Sequence, residues 1–138
     1  MLPDATVKAV GWIGVLSIIA IVYGAYVCVA QTDLKRLIAY SSVSHMGYVV
    51  LGLGVWSVGM GSIYNADYWN MGIKGAMFQM IGHGISSAGM FFLVGVIYER
   101  AHTRDLKKFG GIWTIMPVFG TILIFTSMAS LGLPGLNG

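Results

Sequence analysis

Long apolar runs alternate with short polar turns along this chain of 138 residues. Each of four apolar runs is long enough to cross the roughly 30 Å hydrocarbon core of a bilayer as a helix. We therefore predict an all-α integral membrane protein with transmembrane helices at about residues 10–30, 34–58, 74–98 and 113–133. The last helix is predicted to break near Pro134, because proline removes a backbone donor and clashes with the preceding turn.

The polar turns predict how the helices begin and where water lies. Asp33 precedes the second helix and is expected to cap it, since a carboxylate satisfies the free N–H groups of a helix N-terminus. Residues 59–73 mix Gly, Asn and aromatic side chains, which is typical of a loop at a membrane interface. Residues 99–111 form the most charged stretch, so we predict a hydrated loop in which His102 is solvated.

Composition strengthens the membrane interpretation and orients the helices. Only 9% of the residues are charged, too few to cover a water-facing surface. Six of the eight Lys and Arg residues lie in the first and third turns, which are therefore expected on the cytoplasmic side, with both ends of this segment outside. The net charge of +3 is explained by this orientation, so nucleic acid is not an expected partner. The single cysteine, Cys28, is expected to pack as a small hydrophobe.

His45 is the most informative residue of the second helix. It follows Leu34 by 11 residues, which places it about 16 Å deep at 1.5 Å per residue, near the middle of a bilayer. An ionisable group at that depth indicates a functional site. Ser41, Ser42 and Tyr48 stand three or four positions away and are expected to give the imidazole polar neighbours.

His83 occupies a matching position on the third helix. It lies about 22 Å from the inner end and shares a helix face with Gln79, Ser86 and Ser87. Two imidazoles at similar depth, each on a serine-bearing stripe, favour a proton or water pathway. Histidine suits this role because its unperturbed pKa near 6.5 permits proton exchange at physiological pH.

Other interpretations remain open for these polar residues. Each histidine could be a neutral side chain satisfied at a helix contact, and a metal site is disfavoured because no Asp, Glu or Cys accompanies the pair at that depth. Lys35 is either a topology anchor or the inner mouth of the pathway. No phosphate-binding loop, paired carboxylates or nucleophile–base motif occurs, so catalytic, cofactor-binding and metal residues are not expected.

Three stretches resemble a known family: QTDLKRLIAYSSVSHMGYVVLG, GAMFQMIGHGISSAGMFFLVGVIYERAHTRDLKKFGG and LGLPGLNG. They resemble the M-type (subunit 4) branch of the antiporter-like membrane subunits of NADH:quinone oxidoreductase, respiratory complex I. The resemblance covers essentially the whole chain, 1–138, and implies that it is one segment of a fourteen-helix parent. The segment would correspond to about helices nine to the first half of helix twelve, and helix twelve is discontinuous in that family. It implies that His45 and His83 lie on a central proton-relaying axis and that Lys35 belongs to a basic turn at its inner end.

The resemblance also implies what lies elsewhere. The family's glutamate–lysine pair, a further axis lysine and an acidic residue of helix twelve have no counterpart here, so a partial proton path is expected. NADH, FMN, iron–sulfur clusters and quinone are expected on partner subunits, with no cofactor on this chain. The expected partners are the lipid bilayer and other membrane-arm subunits, including neighbouring antiporter-like ones. The expected location is a bacterial inner membrane. The alternatives are a subunit of a cation/proton antiporter or membrane-bound hydrogenase, and a structural segment that conducts no ions.

Overall fold

The computed structural model describes residues 3–58, 66–133 and 135–136, and these residues form an array of helices. The helices are α1 (Pro3–Val29), α2 (Leu34–Val58), α3 (Ala66–Ala101), α4 (Ile112–Ile115) and α5 (Pro117–Ser130), with a 3₁₀ turn at Leu106–Lys108. Among them, α1, α2 and α3 are long and apolar enough to cross a membrane, and α5 is a shorter apolar helix of 14 residues. The predicted all-α membrane fold is confirmed.

Helices α1 and α2 approach closely because glycines line their contact. A Cβ atom on Gly47 would lie 2.7 Å from Ile21 Cγ1 and 3.1 Å from the Ser17 carbonyl oxygen. A Cβ atom on Gly24 would lie 3.0 Å from the backbone nitrogen of Ser44, and the Ser44 hydroxyl donates to the Ile21 carbonyl at 3.0 Å. Small residues therefore let the two backbones meet, as they do in other membrane helix pairs.

Helix α2 lies between α1 and α3, and α5 packs against α3. Gly52 of α2 faces α3 so closely that a Cβ atom there would lie 3.0 Å from both the Ala76 Cβ and the Gly72 carbonyl oxygen. The Ser127 hydroxyl of α5 lies 3.9 Å from the Met90 sulfur of α3. This arrangement brings polar residues of α2, α3 and α5 to one interior region.

Two loops are joined at one end of the helices, which we call the basic end. The Leu34 N–H donates to the Arg104 carbonyl, and the Leu106 N–H donates to the Thr32 carbonyl, both at 2.9 Å. The predicted cap at Asp33 is confirmed, because its Oδ1 accepts from the N–H groups of Lys35 at 2.8 Å and Arg36 at 3.1 Å. His102 is exposed in this region, in agreement with the prediction.

Some predicted boundaries are wrong. Helix α3 begins at Ala66, so residues 66–73 are helical where an interfacial loop was predicted. The helix can extend through them because no proline interrupts the run. The rest of the predicted loop, residues 59–65, lies outside the described residues. Helix α1 begins at Pro3, since proline fits the first turn of a helix. The predicted fourth helix is divided at Met116, whose φ of −136° and ψ of 77° reflect the restriction that Pro117 imposes on its predecessor.

Helix α5 ends inside the apolar region. At 1.5 Å per residue its 14 residues span about 21 Å, less than the thickness of a bilayer core. After Ser130 the chain turns, and Gly132 takes a φ of +78°, the left-handed conformation that glycine adopts readily beyond a helix C-terminus. The predicted break at Pro134 falls on a residue outside the described ranges.

Candidate functional site

The two mid-helix histidines face each other across the α2–α3 contact. Their ring centroids are 5.2 Å apart, with an angle of 34° between the ring planes. His83 is about 9% exposed and His45 is half-buried. The sequence predicted only that the two histidines lie at a similar depth, and the structure shows that their rings are also adjacent.

Each histidine takes its side-chain partner from the opposite helix. The Ser42 hydroxyl of α2 lies 2.8 Å from His83 Nε2, and the Gln79 amide nitrogen of α3 lies 3.3 Å from His45 Nδ1. This differs from the expected pairing of Ser42 with His45 on the same helix. An amide N–H₂ group only donates, so with the Gln79 amide in this orientation His45 Nδ1 accepts, and a neutral His45 ring carries its proton on Nε2.

A cavity of about 280 Å³ opens beside the histidine pair, and we name it the serine cavity; its lining is mostly apolar, with polar groups set into it. At roughly 30 Å³ per water molecule, it has room for about nine waters. Helices α2, α3 and α5 contribute its polar lining, which consists of His45, His83, Ser41, Ser87, Ser127 and Ser130. A cavity with this many hydroxyl and imidazole groups can hold hydrogen-bonded water inside an apolar helix array.

A second cavity, of about 580 Å³, lies between α2 and α3 farther from the basic end, and we name it the Tyr48 cavity. Tyr48, Gln79 and the glycines Gly52 and Gly75 line it, together with His45. His45 and Leu131 line both cavities. The His45 ring therefore stands between a space near the basic end and a space farther along the helices.

The remaining predicted site residues have distinct positions. The Ser41 hydroxyl donates to the Ile38 carbonyl at 2.9 Å while lining the serine cavity, and the buried Ser86 hydroxyl lies 3.4 Å from the His83 carbonyl. Tyr48 is 54% exposed and meets His45 only through the Tyr48 cavity. Lys35 is exposed, ten residues or about 15 Å along α2 from His45, so the structure does not bring it to the histidine pair.

The sequence interpretation missed Ser127 and Ser130. These two serines lie three positions apart on one face of α5, a spacing that was visible in the sequence. They were overlooked because spacing along one helix does not show which other helix packs beside the histidines. The end of α5 instead brings both serines, and the backbone after Ser130, to the cavity.

The chain matches the family model described as NADH:quinone oxidoreductase/Mrp antiporter, TM over residues 1–138. It is 41% identical over its whole length to NADH-quinone oxidoreductase subunit M of Rickettsia bellii, covering 26% of that protein. It is 46% identical over its whole length to NAD(P)H-quinone oxidoreductase chain 4 1 of a Nostoc species, covering 23% of it. It is 49% identical over 90% of its length to NADH-quinone oxidoreductase subunit M of Pseudomonas aeruginosa, covering 21% of it.

The comparisons and the structure indicate the same kind of protein, a segment of a longer membrane protein. The chain spans about a quarter of the length of the curated relatives it matches. Its apolar helices agree with the membrane character in the family's description, and the match extends over every residue. The chain therefore belongs to the NADH:quinone oxidoreductase/Mrp antiporter membrane family.

Proposed function

We propose that this chain is part of a proton-translocating membrane-arm subunit of NADH:quinone oxidoreductase. The observation that carries the proposal is the position of His45, which lines both cavities and lies 5.2 Å from His83. Two relatives named subunit M of NADH-quinone oxidoreductase support the same assignment. In this proposal, protons pass between the serine cavity and the Tyr48 cavity through the histidine pair.

The side chains around the pair have the chemistry that such a transfer needs. A serine hydroxyl both donates and accepts, so Ser42 can hydrogen-bond His83 Nε2 whether or not that nitrogen carries a proton. His45 presents Nε2–H while Gln79 holds Nδ1, which fixes the ring in one orientation. Water in the serine cavity would deliver a proton to either ring, since both rings line that space; His45 takes it at Nδ1, and only when the Gln79 amide leaves that nitrogen, because Nε2 already carries a proton.

The short distance between the rings limits the charge that they hold. Two positive charges 5.2 Å apart repel each other by about 3 kcal/mol at an effective dielectric constant of about 20. The pair therefore carries one extra proton at a time. Arrival of a second proton favours release of the first, and this gives the pair a relay function.

The redox chemistry belongs to other subunits in this proposal. NADH, FMN, iron–sulfur clusters and quinone bind to partners, while this segment lies in a bacterial inner membrane beside other antiporter-like subunits. Coupling to electron transfer requires a structural element with two arrangements. Both the redox site and the proton-transfer site must shift the equilibrium between those arrangements. The histidine pair, with hydrogen bonds exchanged between two helices, is a candidate for that element.

Replacing His83 with alanine is expected to slow proton uptake about tenfold without preventing assembly. The imidazole is lost, and water in the enlarged serine cavity replaces it only in part; a tenfold change corresponds to about 1.4 kcal/mol on the transfer barrier. The change is made in the intact gene. Inner-membrane vesicles are then assayed for NADH oxidation with quinone and for dye-reported proton uptake.

The matched control is His102→Asn, which changes an exposed loop histidine to a residue that tolerates its φ of +49°. This variant should pump protons at the normal ratio to NADH oxidised. A normal ratio in His83→Ala, with the complex assembled, would contradict the relay and favour a structural role for this segment.

Replacing Ser42 with alanine is expected to slow proton uptake about threefold, while Ser42→Thr retains most of it. Alanine removes the hydroxyl 2.8 Å from His83 Nε2, which loosens the ring; threonine keeps the hydroxyl. The vesicle assay compares the two variants, and its pH dependence should change for alanine alone. Equal rates for both variants would mean that the hydroxyl does not serve the transfer.

The family description also includes Mrp antiporters, which supports cation/proton antiport as a second candidate function. The same vesicles distinguish the two. Proton uptake driven by NADH with no requirement for sodium supports the proposal. Proton movement driven by an imposed sodium gradient, with no dependence on NADH, would support antiport.

A further inference from the structure

A small cleft of about 100 Å³ lies at the basic end of the helices, apart from both histidine cavities. We name it the Lys35 cleft, and it is lined by Lys35, Phe91, Val94, Gly95, Tyr98 and Arg104. Its lining is basic near the loops and apolar farther along α3. Its basic residues distinguish it from the serine cavity, whose lining contains no Lys or Arg.

Two cations line the mouth of the Lys35 cleft, and Arg104 is held there by two independent contacts. The Arg104 guanidinium lies 4.6 Å from the centroid of the Tyr98 ring, a cation–π contact. The Arg104 carbonyl accepts from the Leu34 N–H at 2.9 Å, one residue before Lys35. The bridge between the two loops therefore brings Lys35 and Arg104 to one cleft although they are distant in sequence.

Neither cation is neutralised by a carboxylate among the described residues. Two acidic residues lie close in sequence to these cations. Asp33 accepts hydrogen bonds from the backbone N–H groups of Lys35 and Arg36, and Asp105 accepts one from that of Lys107. Each carboxylate thus caps a helical turn through one of its oxygens, Oδ1. The two turns at this end, residues 31–36 and 99–111, carry six Lys and Arg against three Asp and Glu, so an excess of positive charge remains and suits an anion from outside the chain.

The apolar part of the Lys35 cleft determines what kind of anion fits. A Cβ atom on Gly95 would have no atom within 4 Å, so the surface of α3 is open there. Phe91 is 36% exposed and lies one helical turn deeper. An anion that carries a hydrocarbon chain satisfies both parts, because its charge meets the cations at the interface and its chain covers the apolar surface.

We propose that the Lys35 cleft binds an anionic phospholipid, with its phosphate between Lys35 and Arg104 and an acyl chain along Gly95 and Phe91. The inference does not depend on proton transfer by the histidines. Each basic residue near an anionic lipid contributes a factor of about five in binding. Loss of both cations should therefore weaken the preference for an anionic lipid about 25-fold.

Photocrosslinking tests this inference on the intact complex in nanodiscs. Phosphatidylglycerol or phosphatidylcholine with a diazirine in one acyl chain is added, and adducts are mapped by peptide mass spectrometry. We expect phosphatidylglycerol to label residues 91–98 at least about fivefold more than phosphatidylcholine does. The preference should disappear in the Lys35→Gln/Arg104→Gln variant, which keeps the backbone bond made by the Arg104 carbonyl.

Two further variants separate the cleft from general surface charge. Lys107→Gln/Lys108→Gln removes two exposed cations of the same loop that do not line the cleft, so it should keep the preference. Gly95→Leu fills the apolar part without changing charge and should reduce labelling by both lipids.

Four outcomes would overturn the inference. Equal labelling by both lipids in the wild type would do so, as would a preference that survives loss of Lys35 and Arg104. Absence of labelling by either lipid would mean that a protein neighbour covers the cleft. Loss of the preference on adding inorganic phosphate would mean that the cations bind free phosphate rather than a lipid headgroup.

Discussion

Replacing Ser87 and Ser127 together with leucine is expected to slow proton uptake about a hundredfold while the complex still assembles. Both serines line the serine cavity, one on α3 and one on α5, so two leucine side chains would occupy much of its 280 Å³. Water could then no longer reach His45 and His83 from that side. A hundredfold change corresponds to about 2.7 kcal/mol on the transfer barrier. Proton uptake per NADH oxidised in inner-membrane vesicles measures the effect.

The control for this prediction is Ser87→Ala/Ser127→Ala. Alanine removes the same two hydroxyls but leaves the space, so water should take their place and proton uptake should fall only a few fold. If the leucine and alanine variants are slowed equally, the hydroxyls matter and the cavity volume does not. If neither variant is slowed, protons do not pass through the serine cavity.

Replacing Gly47 with leucine is expected to reduce the assembled complex to about a tenth of the wild-type amount or less. Even a Cβ atom at Gly47 would lie 2.7 Å from Ile21 Cγ1 and 3.1 Å from backbone atoms of α1, and backbone atoms cannot move aside as a flexible side chain can. Overpacking of this kind costs about 3 kcal/mol, enough to lower the amount of folded protein in cells severalfold or more. Native gel electrophoresis of solubilised membranes measures the assembled complex.

Gly14→Leu is the matched control, because Gly14 belongs to α1 and a Cβ atom there would meet nothing within 4 Å in this segment. Its amount of assembled complex should stay well above that of Gly47→Leu. Equal amounts in the two variants would show that the close contact of α1 and α2 is not needed for assembly.

The close contact of α1 and α2 also bears on the site. Gly47 lies two residues after His45, and the Ser44 hydroxyl, one residue before it, donates to the Ile21 carbonyl at 3.0 Å. Helix α1 thus fixes the rotation of α2 on either side of His45. Helix α1 thereby helps to keep Ser42 and His45 turned toward α3.

The sequence by itself was sufficient for properties that depend on local geometry. The bounds of α2 agree with the predicted residues 34–58, and Asp33 caps it as expected, because propensity and capping act over a few residues. The similar depth of His45 and His83 also followed from the sequence, since a helix rises a constant 1.5 Å per residue. Composition alone predicted the membrane class, which the long apolar helices confirm.

Only the tertiary structure decided which polar groups meet. Local spacing pairs Ser42 with His45 and Gln79 with His83, but the packed helices exchange these partners, and Tyr48 faces a different cavity from the serines. Ser127 and Ser130 join the site because Pro117 starts a new, short helix whose end reaches the cavity. The physical reason is that the rise along a helix is fixed locally. The rotation of a helix about its axis and the choice of its neighbours depend instead on close contacts between residues distant in sequence, such as the contact of Gly47 with α1.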